Sequence, residues 1–124
     1  METKTIVVVD NDPSVRESLE VLLNAAGYEV ESYASAESYL GSGRLSSTDC
    51  LLLDVRMPGM SGLELLEHLD RLGAGMPIVL MSGYAETSVR SRAPSARIVE
   101  ILEKPFDDDT LIDAIERALR AAPR

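Results

Sequence analysis

The chain has 124 residues, 45% of them hydrophobic and 4% aromatic, which suffices for one ordinary domain with an aliphatic core and leaves no room for a second. Twelve basic against 21 acidic residues give a net charge of −9, which argues against nucleic-acid binding through a general positive field, and the single cysteine, Cys50, excludes an internal disulfide or a thiolate metal cage. No apolar run approaches the roughly 20 residues that cross a bilayer, and Met1-Glu2-Thr3-Lys4 lacks the shape of a signal peptide, so a reducing cytoplasm is the expected setting.

The first element is Ile6-Val7-Val8-Val9, a continuous apolar run of the kind found in strands buried on both faces, and it ends in Asp10-Asn11-Asp12. Val15, Leu19, Leu22, Leu23 and Ala26 then recur with helical spacing until Gly27 stops the run. Asp12 before Pro13 has the pattern of a helix N-cap followed by proline at the first helical position, with metal ligation as the alternative. Glu29 to Tyr33 is a weaker strand, Ala36 to Leu40 a short helix, and Gly41-Ser42-Gly43 a loop. Cys50-Leu51-Leu52-Leu53 is the next continuous run; it ends in Asp54, and the turn residues Pro58-Gly59 follow.

Leu65, Leu66, Leu69 and Leu72 mark a helix stopped by Gly73, with His68 off that stripe and expected on the surface. Ile78-Val79-Leu80-Met81 is the fourth strand and ends in Ser82. Pro94 confines any helix between Ala85 and Val99 to about Thr87 to Arg92, because an interior proline costs on the order of 3 kcal/mol. Arg90, Arg92 and Arg97 there read equally as a partner-contact face or as a solvated segment. Ile98 to Leu102 is a second weaker strand, leading through Glu103 to Lys104. Ile112, Ile115 and Leu119 mark the last helix, with Asp107, Asp108 and Asp109 at its positive end. Cys50 reads as an inert core thiol, and Met57, Met60, Met76 and Met81 as packing.

Strands separated by helices at this spacing predict a three-layer α/β domain, with a five-stranded parallel sheet, five helices and right-handed crossovers. Ligands in such folds bind beyond the carboxyl ends of the strands, where this chain carries Asp10-Asn11-Asp12, Asp54, Ser82 and Lys104. Carboxylates gathered there repel unless a cation or a proton intervenes, and an oxygen-only set suits Mg²⁺. A carboxylate beside Mg²⁺ can act as a nucleophile toward a phosphoryl group, with a lysine neutralising charge and a hydroxyl donating to the new phosphate.

The segments Val7-Val8-Val9-Asp10-Asn11-Asp12, Leu53 to Gly62, Met81-Ser82-Gly83 and Glu103-Lys104-Pro105-Phe106 together resemble a response-regulator receiver domain of two-component signalling, CheY-like and most similar in style to the FixJ group. The resemblance covers nearly the whole chain and implies the flavodoxin/CheY-like strand order 2-1-3-4-5. It implies that Asp54 is the phosphoacceptor, Asp10 the first of the acidic pair, Ser82 the switch hydroxyl and Lys104 the lysine that meets the phosphoryl group. It also implies Mg²⁺ bound with help from the Arg56 backbone carbonyl, and a cis bond before Pro105.

The implied partner is a sensor histidine kinase. An effector or a homodimer would use the face of the fourth helix, fifth strand and fifth helix, with no membrane or direct nucleic-acid contact and no turnover of an external substrate. Two residues and one segment depart from the family pattern, the segment being Ala85 to Val99, where relatives usually carry a regular helix and this chain has Pro94. Asn11 stands where a second acid usually touches Mg²⁺, which predicts weaker Mg²⁺ binding, with Asp12 as a compensating ligand; Ile101 stands where a switching aromatic is common. These departures leave a pseudo-receiver, an interaction module without phosphate chemistry, as the alternative reading. A small hydrolase with an aspartyl-phosphate intermediate is disfavoured, because Arg56 occupies the place of its second acid. The chain reads either as a stand-alone receiver or as the receiver part of a longer regulator.

Overall fold

The computed structural model describes residues 3–83 and 98–121. The apolar runs form β1 (Thr5–Val9), β2 (Glu29–Tyr33), β3 (Cys50–Asp54), β4 (Ile78–Ser82) and β5 (Ile98–Glu103), all parallel, in the order β2-β1-β3-β4-β5. Among the described residues the helices are α1 (Pro13–Ala25), α2 (Ala36–Leu40), α3 (Gly62–Arg71) and α4 (Asp108–Ala121), with a short 3-10 turn at Leu45–Ser47. The expected helix at Thr87 to Arg92, with Arg90, Pro94 and Arg97, lies outside the described residues. The expected five helices are therefore four among those described.

Alternation along the strands divides the core into two layers, because successive side chains leave a strand on opposite faces. Val7, Val9, Leu51, Leu53, Ile78 and Leu80 pack with Tyr39, Leu65 and Leu69 under α2 and α3. Ile6, Val8, Cys50, Leu52, Val79 and Met81 pack with Leu19, Leu23, Leu111 and Ile115 under α1 and α4. The central strands β3 and β4 are buried at every position, which is why their sequences are unbroken apolar runs.

The helices differ from their predicted stripes in detail. The buried face of α4 is Leu111, Ala114, Ile115 and Ala118, so the small alanines face the sheet while Ile112 and Leu119 are half-buried. Leu72 is 64% exposed because α3 ends at Arg71, and Ala26, just past the end of α1, is exposed as well. His68 is half-buried rather than exposed. Ile101 is half-buried against the layer under α2 and α3. Burial pushes the Cys50 thiol up to about 12, which keeps it protonated and inert.

Candidate functional site

Asp10, Asp54 and Lys104 each continue the α1/α4-facing series of their strands, two residues beyond Val8, Leu52 and Leu102. The period that buries those aliphatic groups therefore delivers three charged side chains to one place at the carboxyl edge of the sheet. Asp10 is fully buried and Asp54 nearly so. Lys104 Nζ donates to Asp10 Oδ2 at 2.9 Å and lies 3.6 Å from Asp54 Oδ1. Ser82 ends β4 one step past Met81, the register partner of Asp54, and its backbone carbonyl accepts from the Lys104 N–H at 2.6 Å. The bond between Lys104 and Pro105 is cis, as the family resemblance implies.

Charge balance at the site is tight. Burial raises the proton affinity of Asp54 and the neighbouring Asp10 carboxylate adds to it, while Lys104 and the Arg56 N–H pull the other way; the net direction is up. At Lys104, burial opposes the ammonium, but the bonds and attraction from Asp10 and Asp54 together outweigh it and hold the charged form. A pocket with this excess of buried negative charge gains from a bound cation.

The backbone around Asp54 is held by its neighbours. Val55 N–H donates to the Met81 carbonyl at 2.9 Å, and Gly62 N–H returns to the Val55 carbonyl at 2.9 Å. Gly62 opens α3 directly against β3: a Cβ there would sit 2.3 Å from the Asp54 carbonyl oxygen and 2.9 Å from Val55 Cα. Ser61 caps α3 with a reciprocal Ser61/Glu64 capping box, which fixes where the loop ends. Arg56 N–H approaches Asp54 Oδ1 at 3.4 Å.

Asp12 takes the capping role. Its carboxylate accepts from the Ser14 N–H at 2.9 Å, and Pro13 stands at the first helical position. Asn11 is exposed at the tip of the same turn. Asp107 likewise accepts from the Thr110 N–H at the start of α4, so the acids there serve the helix end.

A family model for the response regulator receiver domain matches residues 6–116. The chain belongs to that family. Transcriptional regulatory protein FixJ of Azorhizobium caulinodans is 40% identical over 118 residues, covering 95% of this chain and 56% of that protein. Response regulator protein TodT of Pseudomonas putida is 39% identical over 119 residues, covering 96% of this chain and 52% of that protein. The crystal structure of FixJ-N superposes with a TM-score of 0.87 at 35% identity, covering 100% of this chain and 99% of that one. The receiver domain thus spans about half the length of the curated relatives it matches.

Two contacts of the receiver domain escape the strand-end pattern. Glu37 Oε2, in the first turn of α2, accepts from the Met60 N–H at 3.0 Å in the loop after Asp54. Gly59, at φ +76°, makes room for that carboxylate, since a Cβ there would meet Glu37 Oε2 at 2.8 Å. Arg16 donates to the Asp10 carbonyl at 2.7 Å. Neither residue carries a sequence signal of its own, because each acts on a backbone atom that only the fold brings near. Among the described residues no helix is long and apolar enough to cross a membrane.

Proposed function

We propose that Asp54 accepts a phosphoryl group from the phosphohistidine of a sensor histidine kinase in the cytoplasm, and that the modified site switches a surface of the domain for partner binding or dimerisation. The carrying observation is the placement of Lys104 between two buried carboxylates, 2.9 Å from Asp10 and 3.6 Å from Asp54. An Asp54 carboxylate oxygen attacks phosphorus. The new P–O bond forms as the P–N bond to the imidazole breaks, and the electron pair stays on the imidazole nitrogen. Lys104 follows the new negative charge, and the Ser82 hydroxyl donates to a phosphoryl oxygen. Water later attacks the phosphorus, releasing phosphate and restoring the carboxylate. The domain assists a transfer to itself and turns over no external substrate.

The donor set suits Mg²⁺. It is made of oxygen, and its two buried carboxylates, Asp10 and Asp54, share the single ammonium of Lys104. Mg²⁺ is held in this way, by one or two carboxylates with water and substrate oxygens. Asp10, Asp54 and the Arg56 carbonyl are the assigned ligands, with Asn11 contributing weakly and Asp12 committed to its helix cap. The ion supplies charge neutralisation at the phosphoryl oxygens. The pseudo-receiver reading gains no support from this arrangement, in which the acidic pocket and its lysine are assembled.

Incubation with Mg²⁺ and a small phosphodonor, followed by intact mass, tests the proposal. One added phosphoryl group on the wild type and none on Asp54→Ala is expected; an unmodified wild type, or a modified variant, contradicts it.

A further inference from the structure

Every polar group of Asp10 has a partner. Its N–H donates to the Tyr33 carbonyl at 3.1 Å, its Oδ1 accepts from the Asp12 N–H at 2.9 Å, and its Oδ2 accepts from Lys104 at 2.9 Å. The remaining group, the backbone carbonyl, lies past the end of β1 and accepts from Arg16 Nη1 at 2.7 Å. A buried carbonyl beyond the ladder needs a donor from elsewhere, and a charged donor gives a stronger bond than a neutral one.

We infer that Arg16 is a positioning residue for the acceptor site: by gripping the Asp10 carbonyl it fixes the direction of the Asp10 carboxylate, and through it Lys104. The contacts run in series from α1 into the pocket: Arg16 to the Asp10 carbonyl, Asp10 Oδ2 to Lys104, and Lys104 to Asp54 at 3.6 Å. Arg16 stands four residues after Asp12, and its own N–H donates to the Asp12 carbonyl at 3.1 Å, so the first turn of α1 holds its backbone in place for the reach back. Arg16 is half-buried, its guanidinium bonds the Asp10 carbonyl, and its effect on the site passes through Asp10. The catalytic part of the inference rests on the phosphoacceptor reading above; the positioning part does not.

Two measurements on the same variants test it. Amide hydrogen exchange by NMR, without phosphodonor, reads the positioning directly. In Arg16→Ala the Asp10 and Asp12 amides are expected to exchange about tenfold faster, the scale of one lost bond to a charged group, while those of Leu52 and Leu80 keep their wild-type rates. Arg16→Lys, which keeps a cationic donor on the same helix, is expected to recover most of the protection. Unchanged exchange at Asp12 overturns the inference, as does equal acceleration at Leu52 and Leu80, which would make Arg16 a general stabiliser of the fold.

The second measurement is the rate of Asp54 modification by a small phosphodonor, which excludes any effect of Arg16 on kinase docking. Arg16→Ala is expected to be about tenfold slower than wild type, with Arg16→Lys closer to it; equal rates overturn the catalytic part. A wild type that takes no phosphoryl group refutes the function proposed above, and the exchange measurement still decides whether Arg16 positions Asp10.

Discussion

Lys104 neutralises Asp10 first and Asp54 second, by the difference between 2.9 and 3.6 Å. Asp54 is therefore the less compensated of two buried carboxylates, and the one free to make a new bond. Removing the lysine leaves both charges without their cation. Lys104→Ala is expected to cost about 1–3 kcal/mol in urea denaturation at neutral pH, at the lower end because the lysine side chain is 26% exposed. The loss should shrink as the pH falls and a carboxylate takes a proton. A variant as stable as wild type at neutral pH would contradict this charge balance.

The raised proton affinity of Asp54 has a definite sign for stability. The folded state holds this proton more tightly than the unfolded chain, so stability falls as the pH rises from the ordinary aspartate value of 3.8 through the raised value. Without Mg²⁺, Asp54→Asn is expected to melt above wild type at neutral pH, with the advantage fading toward pH 3.8. Thermal melts across that range check the direction; an Asn variant that melts lower at pH 7 contradicts it.

Gly62 is where α3 meets the backbone of the acceptor strand. Both atoms that a new Cβ would strike most closely, at 2.3 and 2.9 Å, belong to backbone and cannot rotate away. Gly62→Ala is expected to lose about 1–3 kcal/mol and to slow phosphorylation, because the strain falls on the carbonyl of Asp54 itself. Gly75→Ala, whose Cβ would meet nothing within 4 Å, serves as the control and should stay within about 0.5 kcal/mol of wild type.

Much of this was legible from the residues alone. Ile6 to Val9, Cys50 to Leu53 and Ile78 to Met81 are continuous because both faces of those strands are covered, and continuity placed Asp10, Asp54 and Ser82 at their ends. Asp12-Pro13 announced its cap. The failures have a common cause in tertiary contact. The buried stripe of α4 runs through Ala114 and Ala118 beside Leu111 and Ile115, and periodicity over Ile112 and Leu119 looks elsewhere. Glu37 and Arg16 bind backbone atoms 23 and 6 residues away, the first a donor and the second an acceptor, and no side-chain pattern marks a backbone partner.

Asn11 is the departure with the clearest chemical consequence. An amide oxygen coordinates without a negative charge, and Asp12, which would supply one, holds the Ser14 N–H. Asn11→Asp is expected to tighten Mg²⁺ by about tenfold in a titration against wild type, the scale of one charge-assisted ligand. Equal affinities would show that residue 11 takes no part in metal binding.

Reduction of the phosphodonor-treated protein with borohydride tests the account most directly, because an aspartyl phosphate is converted to homoserine and the mark survives digestion. Peptide mass spectrometry is expected to find homoserine at position 54 and at no other acid. Homoserine at Asp10 or Asp12, or an unmarked Asp54 in protein that has gained a phosphoryl group, would contradict the claim that the lysine-braced pocket activates residue 54.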